Sequence, residues 1–464
     1  MIMKTPVTES GSGRVINEWR PEDATFWSDT GRKVANRNLW ISIPNLLLAF
    51  SVWMVWSMVV VKLPDIGFTY SKDQLFWLAS LPALSGATLR IFYSFLPSIV
   101  GGRRFTAIST ASLLIPAIGI GMAVQDPNTP FSMMLALALL CGFGGGNFSS
   151  SMSNISFFFP KAQKGTALGL NAGLGNLGVS VMQFVVPVVI TMGVFGALGG
   201  EPQTITKDGV EKSIWLQNAG YIWVPFIAVS AIAAWFGMND LSSARSSFKE
   251  MSTIFKDKHN WLMCWLYIGT FGSFIGFSAG LALVMKVSFP DIDPIKFAFL
   301  GPLVGALARP VGGVLSDKLG GARVTLWTFT LMIITTLTVL QFLPQNGVGG
   351  SFNGFLFSFL VLFALTGIGN ASTFQMIPVI YRNLHLNWGT KDADPIAAKE
   401  AAAAIGFAGA IGAYGGFFIP KAFGSSIKAF GGPDVALYVF AGFYVSCLLI
   451  TWWYYSRKGA EMPC

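Results

Sequence analysis

Two arginines lie inside long apolar stretches of this sequence, where a charged side chain is costly to place. Arg90 ends the stretch GATLR and Arg309 ends the similar stretch GALAR, and a glycine pair comes eleven residues after each of them. One offset of 219 residues relates the two surroundings. Even the lower estimates put the cost of an arginine at the centre of a membrane-spanning helix at about 2.5–3.5 kcal/mol, so each arginine should face a cavity and have a partner.

The sequence offers neither arginine an acidic partner at the same depth. All 22 carboxylates fall in predicted loops, at the ends of apolar stretches or near the ends of the chain. A guanidinium stays charged and presents paired donors in a planar fork, which matches an oxyanion. Arg90 and Arg309 therefore predict a site for a small, planar, singly charged oxyanion. For either arginine alone, the alternative is a structural role, with bonds to helix carbonyls or stacking on aromatic rings.

Apolar stretches of membrane-spanning length contain both arginines and fill most of the chain. Of the 464 residues, 53% are hydrophobic and 11% are charged, and the mean hydropathy is +0.58. Soluble proteins carry about 25% charged residues, and about 20 apolar residues cross a bilayer. The sequence therefore predicts an all-α membrane protein, in contact with the lipid bilayer, with twelve transmembrane helices at residues 38–61, 74–99, 105–124, 131–157, 165–193, 219–237, 260–285, 297–316, 323–343, 354–380, 397–420 and 434–456.

Lysine and arginine are distributed unevenly between the two predicted membrane faces. The face that holds both ends of the chain collects 21 of them and the other face collects 8. Because positive residues favour the cytoplasmic side, both termini are predicted to be cytoplasmic. The predicted organisation is a cytoplasmic N-terminal segment at 1–37, six-helix bundles at 38–238 and 261–456, a cytoplasmic linker at 239–260 and a cytoplasmic tail at 457–464. This topology explains most of the net charge of +9, so no nucleic-acid partner is expected.

The other reactive residue types indicate no further chemistry. The four cysteines have no pairing or metal-binding pattern, and three of them fall in apolar spans. An enzyme needs a nucleophile, metal ligands or an acid–base pair in a cavity, and the predicted spans hold no central cluster of carboxylates or histidines. We therefore predict neither a metal nor a cofactor, and a transporter rather than an enzyme.

An internal repeat relates the two predicted bundles. The second and eighth spans share the arginine, and the fourth and tenth share the patterns GNFS at 146–149 and GNAS at 369–372. The fifth and eleventh spans share three glycines at one offset of 237 residues, namely Gly169, Gly175 and Gly178 with Gly406, Gly412 and Gly415. Glycines at helical spacing let a neighbouring helix approach closely, so we predict a packing and conformational role for all six. A parallel repeat of six spans is typical of the major facilitator architecture.

Three motifs resemble those of a known family. The loop GGVLSDKLGGAR at 312–323 resembles the major facilitator signature, although its first-half counterpart GGRR at 101–104 lacks the aspartate. The stretches ALGLNAGLGNLGVS at 167–180 and AIGFAGAIGAYGG at 404–416 resemble the paired nitrate signatures of the nitrate/nitrite porter family. The resemblance is closest to bacterial nitrate/nitrite exchangers. It implies the major facilitator fold, nitrate and nitrite as substrates and a place in the bacterial cytoplasmic membrane.

The resemblance also implies further site residues. Phe148, Tyr267 and Phe271 match positions where the family lines its substrate cavity, although by sequence alone any one of 40 phenylalanines would be assigned to the core or to lipid. Gly173 and Gly409 are implied to line the anion site. Asn176 is the one amide within the stretch GNLG, and its NH₂ group either donates to the anion or forms an interhelical hydrogen bond. We expect a monomer to contain the whole site.

The same residues predict how transport is coupled. Proton-coupled carriers usually keep an acidic residue or a histidine in their pathway, and here both residue types lie outside the middle of the spans. Two unneutralised guanidinium groups repel each other at low dielectric, so the empty carrier should switch sides slowly. The prediction is an obligatory exchange of nitrate for nitrite, and the alternative is a proton-coupled anion symporter.

Overall fold

Twelve long helices make up most of the molecule. The computed structural model describes residues 9–10, 14–207, 210–242, 252–344, 349–390 and 393–464. Within those ranges, twelve helices are long and apolar enough to cross a membrane, which confirms the predicted number. They are α1 Ala24–Lys62, α2 Lys72–Tyr93, α3 Gly102–Ala123, α4 Phe131–Phe158, α5 Ala162–Val189, α6 Asn218–Gly237, α7 Lys258–Ser288, α8 Pro294–Leu319, α9 Gly321–Phe342, α10 Phe352–Asn387, α11 Ile396–Phe430 and α12 Asp434–Ser456. The described residues also form five short strands, β1 Glu9–Ser10, β2 Val15–Ile16, β3 Gln203–Lys207, β4 Val210–Ile214 and β5 Asp240–Leu241.

Several helices extend beyond their predicted spans. α1 begins at Ala24, inside the segment predicted to precede the first span, and the side chain of Asp23 caps its first turn. Likewise α7 begins at Lys258 within the predicted linker, α10 continues to Asn387 and α11 continues to Phe430. The predicted bounds counted only the apolar length that crosses hydrocarbon, whereas a helix can continue into water as polar or capped turns.

The helices form two bundles, α1–α6 and α7–α12, that are built alike. α3 and α9 each begin directly after a glycine in the left-handed region, Gly101 with φ 101° and Gly320 with φ 88°. Only glycine adopts such angles readily, so the two predicted glycine pairs form equivalent turns. The predicted all-α, twelve-helix fold with two related halves is confirmed.

We call the side of the molecule that carries residues 14–23, 239–242 and 457–464 the terminal face. There β2 pairs in parallel with β5 at the end of α6. Asp240 of β5 accepts from the backbone N–H of Arg103 at 2.8 Å and from its Nε at 3.2 Å. The first-half loop, which lacks the aspartate of its counterpart, therefore obtains a carboxylate from the end of its own bundle.

The other side of the molecule, which we call the opposite face, joins the two bundles by ion pairs. Asp65 follows α1 and pairs with Lys286 of α7 at 2.6 Å, and Asp73 of α2 pairs with Lys421 of α11 at 2.6 Å. Lys62 lies 3.4 Å from Asp293 of the second bundle. Every inter-bundle hydrogen bond or ion pair between residues whose side chains are described lies either here or at mid-depth. The bundles are therefore held together at the opposite face and at mid-depth.

Candidate functional site

Arg90 lies fully buried on α2, at the contact between the two bundles. Its Nε donates to the carbonyl oxygen of Gly145 on α4 at 2.9 Å, and its Nη1 donates to the carbonyl oxygen of Gly409 on α11 at 2.8 Å. The first bond fixes the guanidinium within its own bundle, and the second crosses to the other bundle. Nη2 is buried and has no partner among the described residues.

Three aromatic rings surround the guanidinium of Arg90. Its Cζ lies 5.0 Å from the ring centroid of Trp53, 4.7 Å from that of Phe148 and 5.2 Å from that of Phe271. The indole of Trp53 is held by its own hydrogen bond to the carbonyl of Pro82 at 2.7 Å. Ring faces attract a guanidinium without neutralising it, so Arg90 is stabilised in the interior while it keeps its positive charge.

A stack of rings leads from Arg90 to the second arginine. The rings of Phe271 and Tyr267 on α7 are 5.3 Å apart at 13°, and Tyr267 lies 4.5 Å from Phe374 of α10 at 15°. Arg309 lies over Phe374, with its Cζ 5.4 Å from the ring centroid. The Tyr267 ring thus lies between the ring that contacts Arg90 and the ring that contacts Arg309. The two charges are therefore linked by one line of aromatic side chains.

A π-helical turn at Ile268–Gly272 shapes this stack within α7. It widens the helix between Tyr267 and Phe271 and lets their rings lie nearly parallel. π turns occur inside helices mostly as single turns and often at functional sites. The family resemblance assigned both residues to the substrate cavity, but the sequence did not reveal the π turn.

Arg309 on α8 is held more loosely than its repeat counterpart. Its side chain is partly exposed, and its Nη1 is buried without a partner among the described residues. No described carboxylate lies within ion-pair distance of Arg309 or Arg90. Each bundle thus contributes one guanidinium nitrogen that is free to donate, and an oxyanion is the complementary ligand for such a pair.

Buried asparagines on α4, α5 and α10 also have polar atoms without a partner in the part of the chain that the structure describes. The side-chain oxygens of Asn147, Asn176 and Asn370 have no partner among the described residues. Asn147 and Asn370 occupy equivalent places in the GNFS and GNAS patterns. Since the oxygen and nitrogen of an amide are assigned from their hydrogen bonds, Asn176 can turn either group inward, and both predicted roles for it stay open.

The predicted glycines fall into two groups. A methyl group at Gly178 would collide with the carbonyl of Leu47, one at Gly175 with the side chain of Leu46, one at Gly412 with the ring of Tyr267, and one at Gly415 with the backbone of Gly272. These four glycines do allow close helix contacts. A methyl group at Gly169 or Gly406 would meet no described atom within 4 Å, so neither glycine makes a close contact in this conformation, and the packing and conformational role of the two stays a prediction.

The glycines assigned to the anion site differ in the same way. Gly173 faces open space, and the nearest atom to a side chain at Gly409 would belong to Phe148, 3.8 Å away. Gly409 contributes its carbonyl oxygen to Arg90. A main-chain acceptor carries no side-chain signal, so the sequence could not predict that contact.

Two aromatic residues of the site were not predicted at all. Trp53 is one of 15 tryptophans and Phe374 one of 40 phenylalanines, and neither belongs to a distinctive spacing. The repeat gives no help with Phe374, because the offset of the GNFS and GNAS patterns maps it onto Ser151. Only the fold brings these rings to the arginines.

Comparisons with known proteins agree with this architecture. A family model described as Major Facilitator Superfamily matches residues 46–385. The chain is 51% identical over 462 residues to the nitrate/nitrite transporter NarU of Salmonella typhimurium, covering 98% of this chain and 99% of that protein. It is 43% identical over 461 residues to the probable nitrate/nitrite antiporter NarK2 of Thermus thermophilus, covering 98% and 100%.

A solved structure supports the fold independently of close sequence similarity. A bacterial homolog to the human lysosomal transporter Spinster, in an inward-facing and occupied conformation, matches with a TM-score of 0.63 at 13% identity, over 89% of this chain and 95% of that one. That likeness concerns the fold alone. Because the family model and the relatives together span nearly the whole chain, the protein belongs to the major facilitator superfamily and, within it, to the nitrate/nitrite porter family.

Proposed function

We propose that the protein transports nitrate and nitrite across the bacterial cytoplasmic membrane. Two relatives that cover nearly all of the chain are named nitrate/nitrite transporter and probable nitrate/nitrite antiporter. The observation that carries the proposal is the pair Arg90 and Arg309, one from each bundle, each with a buried nitrogen that lacks a partner among the described residues. One planar anion accepts from both nitrogens and lies against the aromatic stack. Asn176, Gly173 and Gly409 complete its surroundings.

The mode of transport that fits this site is exchange of one anion for another. Without an anion, the two guanidinium groups at the ends of the aromatic line have no described carboxylate as a countercharge, and their repulsion makes a tightly closed empty site unfavourable. An anion removes that repulsion, so the bundles switch sides when loaded. The histidines are engaged at the terminal face, where His259 contacts the hydroxyl of Tyr455 and His385 contacts Glu400. Neither lies beside the arginines to carry a proton.

The membrane orientation in this proposal puts the terminal face in the cytoplasm. The excess of lysine and arginine on that side supports it. In that orientation the ion pairs close the periplasmic side, and the open space around Gly169 and Gly406 lies on the cytoplasmic side. The structure then corresponds to a carrier that is open to the cytoplasm. A single chain contains both arginines, so a monomer in the bilayer suffices.

Reconstitution in liposomes tests the proposal. Vesicles are loaded with nitrite or left without anion substrate, and labelled nitrate is offered outside with and without an inward proton gradient. We expect nitrate uptake only with internal nitrite and no dependence on the gradient. Nitrate accumulation in vesicles without internal anion, driven by protons alone, would replace exchange with the symport alternative. Absence of nitrate movement under every condition would contradict the transport function itself.

A further inference from the structure

A second basic cavity lies on the opposite face, away from the two arginines. It has a volume of about 460 Å³ and lies where the end of α5, the strand β4 and the loop before α8 meet. Three lysines line it, Lys62, Lys212 and Lys296, together with one carboxylate, Asp293. Its remaining lining is mainly isoleucine. The cavity therefore combines an excess of positive charge with apolar walls.

The lysines of this cavity differ in how firmly they are held. Lys62 is shared between Asp65 at 3.5 Å and Asp293 at 3.4 Å, whereas the neighbouring pair Lys286 and Asp65 is at 2.6 Å. Lys212 and Lys296 are exposed, and neither lies within ion-pair distance of a described carboxylate. Lys212 and Lys296 are thus not paired with any described carboxylate, and Lys62 is only weakly paired.

We propose that this cavity is a receiving site for small, weakly hydrated monovalent anions on the opposite face, which rests on the proposed transport of nitrate. A cleft lined by one sign of charge with low-dielectric walls concentrates counter-ions. Apolar walls exclude strongly hydrated multivalent anions and accept an anion that gives up its water easily. The site binds the anion weakly, so that the anion can leave it for the transport pathway.

The cavity also contacts the ion pairs that close this face. Lys62 belongs to the first bundle and Asp293 to the second, so their contact is one of the links between the bundles. An anion in the cavity competes with Asp293 for the ammonium group of Lys62 and weakens that link. Arrival of substrate is thereby coupled to opening of the face at which it arrives.

A local anion probe tests the site without relying on transport. In a Cys464→Ser background, Thr191→Cys introduces a label site in the cavity lining, because the three other cysteines are buried. A fluorophore there is quenched with iodide, a weakly hydrated monovalent anion, or with neutral acrylamide. We expect Lys212→Gln with Lys296→Gln to lower iodide quenching about threefold at low salt and to leave acrylamide quenching unchanged. The difference should disappear in about 1 M salt, where the Debye length is about 3 Å.

Lys72→Gln is the matched control, since Lys72 is exposed at the start of α2 on the same face but does not line the cavity. Equal iodide quenching in the parent and the double variant would overturn the proposal. So would an equal loss in the Lys72 control, which would indicate a diffuse surface field. Loss of the difference when phosphatidylglycerol is added to neutral vesicles would also overturn it, because a lipid phosphate would then be the occupant.

A transport measurement separates this proposal from the proposed function. In vesicles with the opposite face outward, the double variant should raise the KM for nitrate about threefold and leave kcat unchanged. Its KM for anion offered at the terminal face should not change. If the parent protein moves no nitrate, the proposed function fails whatever the quenching shows. If the parent transports and the double variant keeps the parent KM, only the receiving site fails.

Discussion

At the scale of single residues, the two arginines are equivalent in the repeat but differ in their contacts. Arg90 has two of its nitrogens on carbonyl oxygens and three rings around it, whereas Arg309 has one ring and a partly exposed side chain. Arg90 is therefore fixed in place, and Arg309 is the arginine with freedom to adjust to a ligand. This difference arises because the neighbours of the two equivalent positions differ while the charge is the same.

Lysine at either arginine position should weaken anion binding strongly. At Arg90 a single ammonium cannot bond two carbonyls and an anion in the same geometry, and at Arg309 it loses the planar fork. Loss of one hydrogen bond to a charged group, at about 1.5–3 kcal/mol, weakens affinity roughly ten- to 150-fold. Nitrate binding to purified Arg90→Lys and Arg309→Lys measures this, with the exposed Arg323→Lys as control. Affinity close to that of the parent in either variant would contradict the proposed geometry.

Removal of the Tyr267 hydroxyl should weaken binding and leave the ring stack intact. The Tyr267 ring lies between the rings that contact Arg90 and Arg309. Its hydroxyl can donate to an anion or accept from a guanidinium, so we expect roughly tenfold lower nitrate affinity in Tyr267→Phe. Tyr444→Phe is a matched control, because that buried hydroxyl contacts Ser273 at 2.7 Å and belongs to no part of the site. Equal affinities in the two variants would show that the Tyr267 hydroxyl has no role.

The sequence predicted those parts of the site that stand out chemically. An arginine inside an apolar helix is rare and costly, so Arg90 and Arg309 could be recognised without a structure. Phe374 and Trp53 could not, because an aromatic ring in an apolar span is equally compatible with core packing or lipid contact. The two carbonyl oxygens that accept from Arg90 belong to glycines. Their role depends on which helix backbone packs against the guanidinium.

At the scale of helices, α5 combines a tightly packed half and an open half. Gly178 touches the backbone of α1, whereas Gly169, further toward the terminal face, faces empty space. Both belong to the same repeated glycine pattern, and the sequence could not distinguish them because contact depends on which conformation the bundles adopt. We predict that a neighbouring helix approaches the open glycines in the alternative conformation.

Alanine at these two glycines should therefore have different effects. Gly178→Ala forces a methyl group against the Leu47 carbonyl and should lower the melting temperature. Gly169→Ala should leave the melting temperature unchanged and slow nitrate exchange, since the methyl group interferes only when the terminal face closes. Thermal unfolding and exchange rates in liposomes measure both effects. Normal exchange by Gly169→Ala would mean that the terminal face closes without contact at this glycine.

At the scale of the whole molecule, the ion pairs of the opposite face decide which side is closed. Asp73→Asn removes the partner of Lys421 and also the weaker contact with Lys428 at 3.5 Å. Partly exposed pairs contribute about 0.2–1 kcal/mol each, so loss of both should shift the equilibrium about two- to thirtyfold toward opening at this face. Distances between spin labels on the two bundles measure that shift. An unchanged distance distribution in Asp73→Asn would show that apolar contacts alone close the face.

The anchoring of Arg90 by main-chain oxygens has a consequence for mutational scanning and for evolution. No side-chain replacement at Gly145 or Gly409 deletes the carbonyl that accepts from the guanidinium, so a scan that replaces every residue in turn cannot remove these two acceptors. A replacement can only displace the helix that carries them. The hydrogen bond from Arg90 to the Gly409 carbonyl, which links the two bundles, thus depends on the path of the backbone. The surrounding sequence can change as long as that path is preserved. Replacement of one backbone amide by an ester weakens a single carbonyl as a hydrogen-bond acceptor and leaves every side chain in place. That substitution would therefore test the contact directly.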